Sequence, residues 1–156
     1  MEARRTRASI FGNVAGDAAG AGRVYRGVEI VDSTGNPIGE FDHIEGDTFV
    51  EDKSARGLDT INPKTGAPYQ TADQWAQRQI FDKTSTRIDN LSQAVDTRAT
   101  VGGTPEVPSL SEIQGLSKLE FRIESPTQAV QDAVAAQIQA LQLKYPGWTF
   151  TSKFGG

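Results

Sequence analysis

Asp42, Glu51, Asp52 and Lys53 fall in one short run, Gly39–Gly57, that carries six carboxylates and a single lysine. Carboxylates that converge can hold a hard divalent cation through oxygen, and a cation held by only two of them keeps several waters. Mg²⁺ suits such a set best, with Mn²⁺ or Zn²⁺ as alternatives. A bound metal lowers the pKa of a coordinated water and offsets charge developing on a phosphoryl oxygen. A lysine beside it can orient the attacking water or stabilise the pentavalent phosphate. The chemistry open to these residues is hydrolysis of a phosphate ester. Asp42 and Glu51 are the candidate metal ligands with the backbone carbonyl of Asp52, Lys53 is the group acting on the nucleophile, and Glu40 stands in support.

Whether these side chains can meet depends on the elements that carry them. Arg23–Asp32 is rich in β-branched residues and reads as a strand, Ser33–Pro37 as a turn, Ile38–Ile44 as a second strand, Glu45–Asp47 as a tight turn and Thr48–Ala55 as a third strand. Successive side chains of a strand alternate between faces. Phe49, Glu51, Lys53 and Ala55 therefore share one face of the third strand, and Val50, Asp52 and Ser54 the other. On the second strand Glu40, Asp42 and Ile44 lie opposite Phe41 and His43. Matching the polar faces of this antiparallel meander brings Asp42, Glu51 and Lys53 together, with Glu40 beside them and His43 turned away.

Downstream, Arg56–Gln70 is a loop punctuated by Gly57, Pro63, Gly66 and Pro68, long enough to be functional. Thr71 and Gln74 have capping-box spacing and open a helix. Its apolar positions Ala72, Ala76, Ile80, Ile88, Leu91 and Val95 recur at helical spacing, with Gln74, Arg78, Asp82 and Ser85 on another face and Lys83 and Arg87 on its flanks. Val101–Leu110 reads as a linker, and Ser109 with Glu112 as a second capping box. Lys118–Glu124 alternates as a strand. Ser125-Pro126 should start a helix lined by Val130, Val134, Ile138, Leu141 and Tyr145, and Trp148–Phe154 alternates as a last strand. The order is α-βββ-α-(α)-β-α-β: an α/β fold, one sandwich with a mixed sheet flanked by helices. An N-terminal helical or flexible segment spans 1–22, with a short helix expected over 3–20, and a single domain spans 23–156.

Composition agrees with one domain. The chain has 156 residues, 37% hydrophobic and 23% charged, enough for one sizeable core and unlike a disordered segment. The lack of cysteine excludes disulfides and thiolate zinc sites; it suits a cytosolic protein, or a domain threaded unfolded across a membrane. No run is long and apolar enough to span a membrane, and the start carries no secretory signal pattern. Residues 29–52 hold eight acids and no Lys or Arg, whereas 1–28 hold five Arg against two acids and 53–98 seven bases against five acids. An acidic spot flanked by basic segments excludes a uniformly basic nucleic-acid binder. It leaves room for a metal site whose neighbours, Lys64 on the loop and Arg78, Lys83 and Arg87 on the helix, touch a polyanionic backbone.

Asp42, eight intervening residues and then Glu51-Asp52-Lys53 resembles the D…(D/E)-x-K signature of the PD-(D/E)xK nuclease superfamily. The apolar step Thr48-Phe49-Val50 before it, the helix carrying Gln74 after it and the element order over 23–154 are similar to that superfamily as well. The resemblance implies a restriction-endonuclease-like sandwich and metal-dependent cleavage of nucleic acid, with Gln74 a further catalytic-site residue. The nearest likeness is to C-terminal toxin domains of contact-dependent growth-inhibition and other polymorphic bacterial toxins. That implies a domain exported within a larger toxin, active in the target-cell cytoplasm on tRNA first and DNA second, and blocked by a cognate immunity protein. The helix-borne glutamate that the superfamily often places before its first strand has only Glu2 and Asp17 as candidates here, and Glu40 is a possible substitute.

The remaining features have plainer readings. His43, the single histidine, is expected to play a structural or supporting part. Trp75 and Trp148 are expected to pack in the core or on the sheet. The Arg4-Arg5-Arg7 run is expected to be solvated, and the glycines of Gly12–Gly22 lack the lysine and preceding strand of a phosphate loop. The alternative from another function class is a non-catalytic binding module, or a degenerate nuclease fold, that offers its acidic hairpin as a recognition face for a basic partner.

Overall fold

A computed structural model describes residues 23–58, 60–124 and 127–155. The meander forms as its turn chemistry dictates. β1 (Val24–Val31) ends at Asp32, whose carboxylate accepts the backbone N–H groups of Thr34 and Asn36 at 2.9 and 3.0 Å and so folds the chain back into β2 (Pro37–Glu45). Gly46, at φ +62°, turns β2 into β3 (Thr48–Ser54), a backbone conformation that only glycine adopts freely.

Six strands form one mixed sheet in the order β6-β1-β2-β3-β7-β8, with β6 at Asp96–Ala99, β7 at Lys118–Glu124 and β8 at Thr149–Gly155. Pairing is antiparallel from β6 through β3 and parallel from β3 to β7 to β8. Parallel neighbours need crossover connections. The first is a continuous helical rod of α1 (Ala72–Ala76), a π-helical segment (Gln77–Asp82) and α2 (Lys83–Gln93); the second is α4 (Gln128–Lys144). A short α3 (Leu110–Gln114) precedes β7. The rod packs on α4, α2 reaches β2 and α4 reaches β8. Val28, Ile30, Phe41, Phe49, Phe121 and Ile123 of the sheet are buried in one core with Ile80, Ile88, Val134 and Leu141 of the helices.

Both capping boxes form, at Thr71–Gln74 and Ser109–Glu112. Trp75 is buried, and Trp148 stacks between Phe49 and Phe150. Among the described residues no helix is long and apolar enough to cross a membrane. The expected helix over 3–20 and the Ser125-Pro126 helix start lie outside the described residues; Thr127 is the N-cap of α4.

Four expectations are corrected. β6 was not anticipated: Asp96–Ala99 is a polar edge strand against β1, and Val95, expected on the helix face, is 54% exposed beyond the helix end. The Arg56–Gln70 loop carries a small hairpin, β4 (Ile61–Asn62) with β5 (Ala67–Pro68). A π-helical turn interrupts the first crossover, so the 3.6-residue period does not hold along it. Finally, the Phe41 ring stacks on that of Phe49, whose ladder partner is Ile44, so Phe41 and Ile44 share a face at a spacing of three that strict alternation forbids. The break falls at Asp42, between the paired residues Arg26↔His43 and Val28↔Phe41, where the facing Gly27 has φ +65°. It puts the Phe41 ring 4.3 Å from that of Phe49, on the side it was expected to turn away from.

Candidate active site

The β2–β3 ladder runs from Glu45↔Thr48 through Ile44↔Phe49 to His43↔Val50 and stops there. β3 continues beside β7 as far as Ser54↔Glu124, so β2 and β3 part at Asp42 and Glu51. The two carboxylates close this fork. The Asp42 N–H donates to Glu51 Oε2 at 3.2 Å, and the Asp52 N–H donates to Asp42 Oδ2 at 2.9 Å. Backbone groups that would otherwise lack a strand partner are satisfied, and both carboxylates are held at one point. Lys53 joins them from β3, its Nζ 4.0 Å from Glu51 Oε1.

Burial separates this set from ordinary surface charge. Glu51 is 1% exposed, and the Lys53 side chain is 10% exposed. Burial disfavours the charged form of each group. It pushes the Glu51 carboxyl up to about 7; Asp42 adds to the rise, and Arg87 and Lys53 oppose it. Burial likewise pulls the Lys53 ammonium down, against the pull of Glu51 and with help from Arg87 and Lys83. The outcome is an acid and a base side by side with their proton affinities drawn together.

α2 supplies the third wall. Arg87 Nη1 lies 3.2 Å from Glu51 Oε1, and its guanidinium sits 5.7 Å from the centre of the Phe41 ring. Asn90, on the same helix face, donates from Nδ2 to the Ile38 carbonyl at 2.9 Å and ties α2 to β2. The sequence reading placed Arg87 on a helix flank as a phosphate contact; the structure holds its side chain at 14% exposure and ion-pairs it to the central carboxylate. A basic residue on a helix flank carries no sign of the strand it will meet. The buried glutamate, however, called for a counter-ion, and the helix after β3 was where to look for it.

Other sequence candidates are not drawn in. Gln74 accepts the Thr71 N–H at 3.0 Å as half of the capping box, so its carbonyl oxygen serves the helix start. Glu40 is exposed and faces Glu29 across the β1–β2 ladder, its side chain without a hydrogen bond or ion pair among the described residues. Lys64 lies between β4 and β5 and Arg78 in the π-helical segment, both exposed. Lys83 opens α2 close enough to depress Lys53.

His43 and the Asp52 side chain belong to a separate network, in which His43 Nε2 lies 2.7 Å from Asp52 Oδ2. Arg122 donates to Glu45 from both terminal nitrogens at 3.0 and 2.9 Å and from Nε to Glu120 at 2.6 Å, and Lys118 pairs with Asp47 at 2.8 Å. The supporting role expected of His43 is therefore exercised on Asp52.

The donor set can be weighed against a divalent cation. Among the described residues no group of three or more His, Cys, Asp or Glu side chains is gathered for a metal. Asp42 and Glu51 are two hard oxygen donors at one point, and Asp42 Oδ1 has no hydrogen bond among the described residues. Mg²⁺ takes one or two carboxylates and completes its shell with water, so the set fits Mg²⁺ or Mn²⁺. It suits Zn²⁺ less, because the one imidazole is engaged elsewhere. Burial raises the Glu51 pKa although Arg87 and Lys53 stand beside it, and a cation bound here would favour its charged form. No protein-family model, curated protein or solved structure matches this chain.

Proposed function

We propose that this domain is a divalent-metal-dependent nuclease of the PD-(D/E)xK kind, with a restriction-endonuclease-like core, that hydrolyses phosphodiester bonds. The observation that carries the reading is the burial of Glu51 to 1% exposure between Asp42, Lys53 and Arg87 at the point where β2 and β3 part. Burying three ionisable groups together costs stability, and perturbed groups cluster where chemistry is done. The antiparallel β1–β2–β3 meander, the helical crossover and the parallel β7 follow the order expected of that core. The recognition-face alternative needs free acids on the hairpin. Glu40 is exposed and unpaired among the described residues, but Glu45, Asp47 and Asp52 each have a basic partner, in Arg122, Lys118 and His43.

Asp42 and Glu51, with the Asp52 carbonyl, would hold the metal, which when bound supplies Lewis acidity toward a phosphoryl oxygen and a more acidic water. The chain's own residues do the rest. The Asp42 and Asp52 N–H groups fix the two carboxylates, so that little rotamer freedom is lost when a ligand arrives. Lys53 Nζ stands beside Glu51. As an ammonium it stabilises charge on the phosphoryl group; with its pKa pulled down it can also release or take up a proton from the attacking water. Phe41, Phe49 and Phe121 exclude water from behind the carboxylates and keep these interactions strong.

The likeness to bacterial toxin domains directs the substrate test to tRNA first and DNA second, and extends the proposal to export within a larger toxin, action in the target-cell cytoplasm and a cognate immunity protein. The test is incubation of the purified chain with tRNA and with plasmid DNA, in Mg²⁺ and in EDTA, beside Glu51→Gln and Lys53→Ala. Cleavage is expected only with metal, and each variant should lose about 10²- to 10⁴-fold while remaining folded by circular dichroism. Full activity in both variants, or in EDTA, would overturn the assignment.

A further inference from the structure

A cavity of about 280 Å³ opens between β2 and α2, lined by Ile38, Gly39, Asp82, Lys83, Thr86 and Arg87. It shares Arg87 with the Glu51 ion pair, so it adjoins the carboxylates without being part of them. Two observations point to an anion. Arg87 Nη1 is buried and, although close to Glu51, has no aligned hydrogen bond; an unsatisfied guanidinium nitrogen inside a protein is costly. Lys83 stands on the same wall with no hydrogen bond or ion pair among the described residues. The walls are also built. Asn90 clamps α2 to β2, and at Gly39 an added Cβ would lie a tight 3.2 Å from Ile30 and in ordinary contact with the Arg87 side chain at 3.6 Å, so β2 passes close beneath the arginine stem.

We propose that this cavity is a phosphate subsite, which takes the strand phosphate next to the scissile one, with Arg87 and Lys83 as its cations and the Thr86 hydroxyl as a further donor. The inference rests on the nuclease reading and specifies how the substrate strand is held beside Asp42 and Glu51. Asp82 is the one carboxylate on the wall, and Arg87 also faces Glu51 at 3.2 Å, so Lys83 is the lining cation with no carboxylate paired to it among the described residues. The guanidinium can contact a phosphate oxygen while it faces Glu51, because its donors are arranged as a fork. Phosphate contacts of this kind position a strand and carry no base preference.

The test is made in EDTA, so that binding is read without cleavage. Fluorescently labelled single-stranded RNA and DNA oligonucleotides are titrated with wild type, Lys83→Gln, Lys83→Arg and Thr86→Val over a range of salt. Lys83 is exposed, so its variants should fold. Lys83→Gln is expected to weaken binding to both strands by about three- to tenfold and to lower the salt slope by about 0.7. Lys83→Arg should restore both, and Thr86→Val should cost about two- to threefold. Inorganic phosphate should compete with the oligonucleotide on wild type and compete less on Lys83→Gln. Unchanged affinity and slope in Lys83→Gln, or equal phosphate competition in both proteins, would overturn the subsite. A chain that binds in the expected way yet cleaves neither nucleic acid keeps the subsite and loses the nuclease reading. A chain that cleaves with the KM of Lys83→Gln unchanged does the reverse.

Discussion

Glu51 and Asp52 are neighbours on one strand and live in different electrostatic worlds. Glu51 is sealed under α2 beside Asp42, with two cations near it and a carboxyl pushed up to about 7. Asp52 points out toward His43, in company with Glu45, whose carboxyl the Arg122 guanidinium holds below its usual range, and Asp47, held down by Lys118 and Thr48. The outer network stabilises the fold modestly and asks for nothing more. The inner set costs stability, which is what a site arranged for a ligand absent from the free protein should do. One acid-rich stretch thus contains a structural use and, on the proposed reading, a chemical use of the same residue type, separated by the direction of a single Cβ.

The largest break in this comparison is in activity. Glu51→Gln removes a carboxylate that holds the site and should lower cleavage by about 10³-fold, whereas Asp52→Asn, one residue on, should change it by no more than about threefold. Measuring kcat/KM for both variants in saturating Mg²⁺ makes the contrast direct. Equal losses would mean that the two faces act as one unit and that the inner set has no special standing.

Much of this contrast was legible in the sequence, because side-chain alternation is a backbone property that survives tertiary context. It placed Asp42, Glu51 and Lys53 together and Asp52 and His43 apart, and the capping boxes marked where two helices begin. It failed where alternation itself fails, at Asp42 opposite the positive-φ Gly27, and so it turned Phe41 the wrong way. Helix periodicity could not show a π-helical turn, and this loosened the facing argument for Arg78, Lys83 and Arg87 alike. Asp96–Ala99 is short and polar, and nothing but the free edge of β1 makes it a strand. Gln74 had two uses open to it, and the helix start, three residues away in sequence, took it. Partners that arrive from distant elements, such as Arg87 on Glu51, leave no local signature.

The second contrast is in pH. Glu51 binds its proton more tightly when folded, at about 7, than at its ordinary 4.5. Between those values the folded state holds the extra proton, so stability falls as pH rises through that window and then levels off. The full span is about 3 kcal/mol. Glu45 and Asp47 run the other way. Their carboxyls are lowered in the fold, and the stability they contribute is lost only as pH falls below their ordinary values of 4.5 and 3.8. Urea unfolding in EDTA should therefore give a more stable protein at about pH 5 than at about pH 8, and Glu51→Gln should flatten that difference while leaving the acid limb intact. A wild-type profile flat between these pH values would mean that Glu51 titrates like a surface acid.

The smallest effect belongs to the outer network. Arg122 makes three contacts to carboxylates, two to Glu45 and one to Glu120, but its side chain is 38% exposed and solvent screens the pairs. Arg122→Met keeps the aliphatic stem against the sheet and leaves Glu45, 32% exposed, and Glu120, 15% exposed, without their shared cation. The expected loss is about 1 kcal/mol by urea unfolding at low salt, falling to less than half of that at high salt, where exposed pairs are screened. Cleavage should stay within about twofold of wild type, since Arg122, although it lines a cavity with Asp52 and Lys53, pairs with Glu45 and Glu120 and not with the carboxylates at the fork between β2 and β3. A loss that salt does not reduce would show that Arg122 acts through packing rather than charge. A loss of activity without loss of stability would extend the active site across the sheet to its outer face.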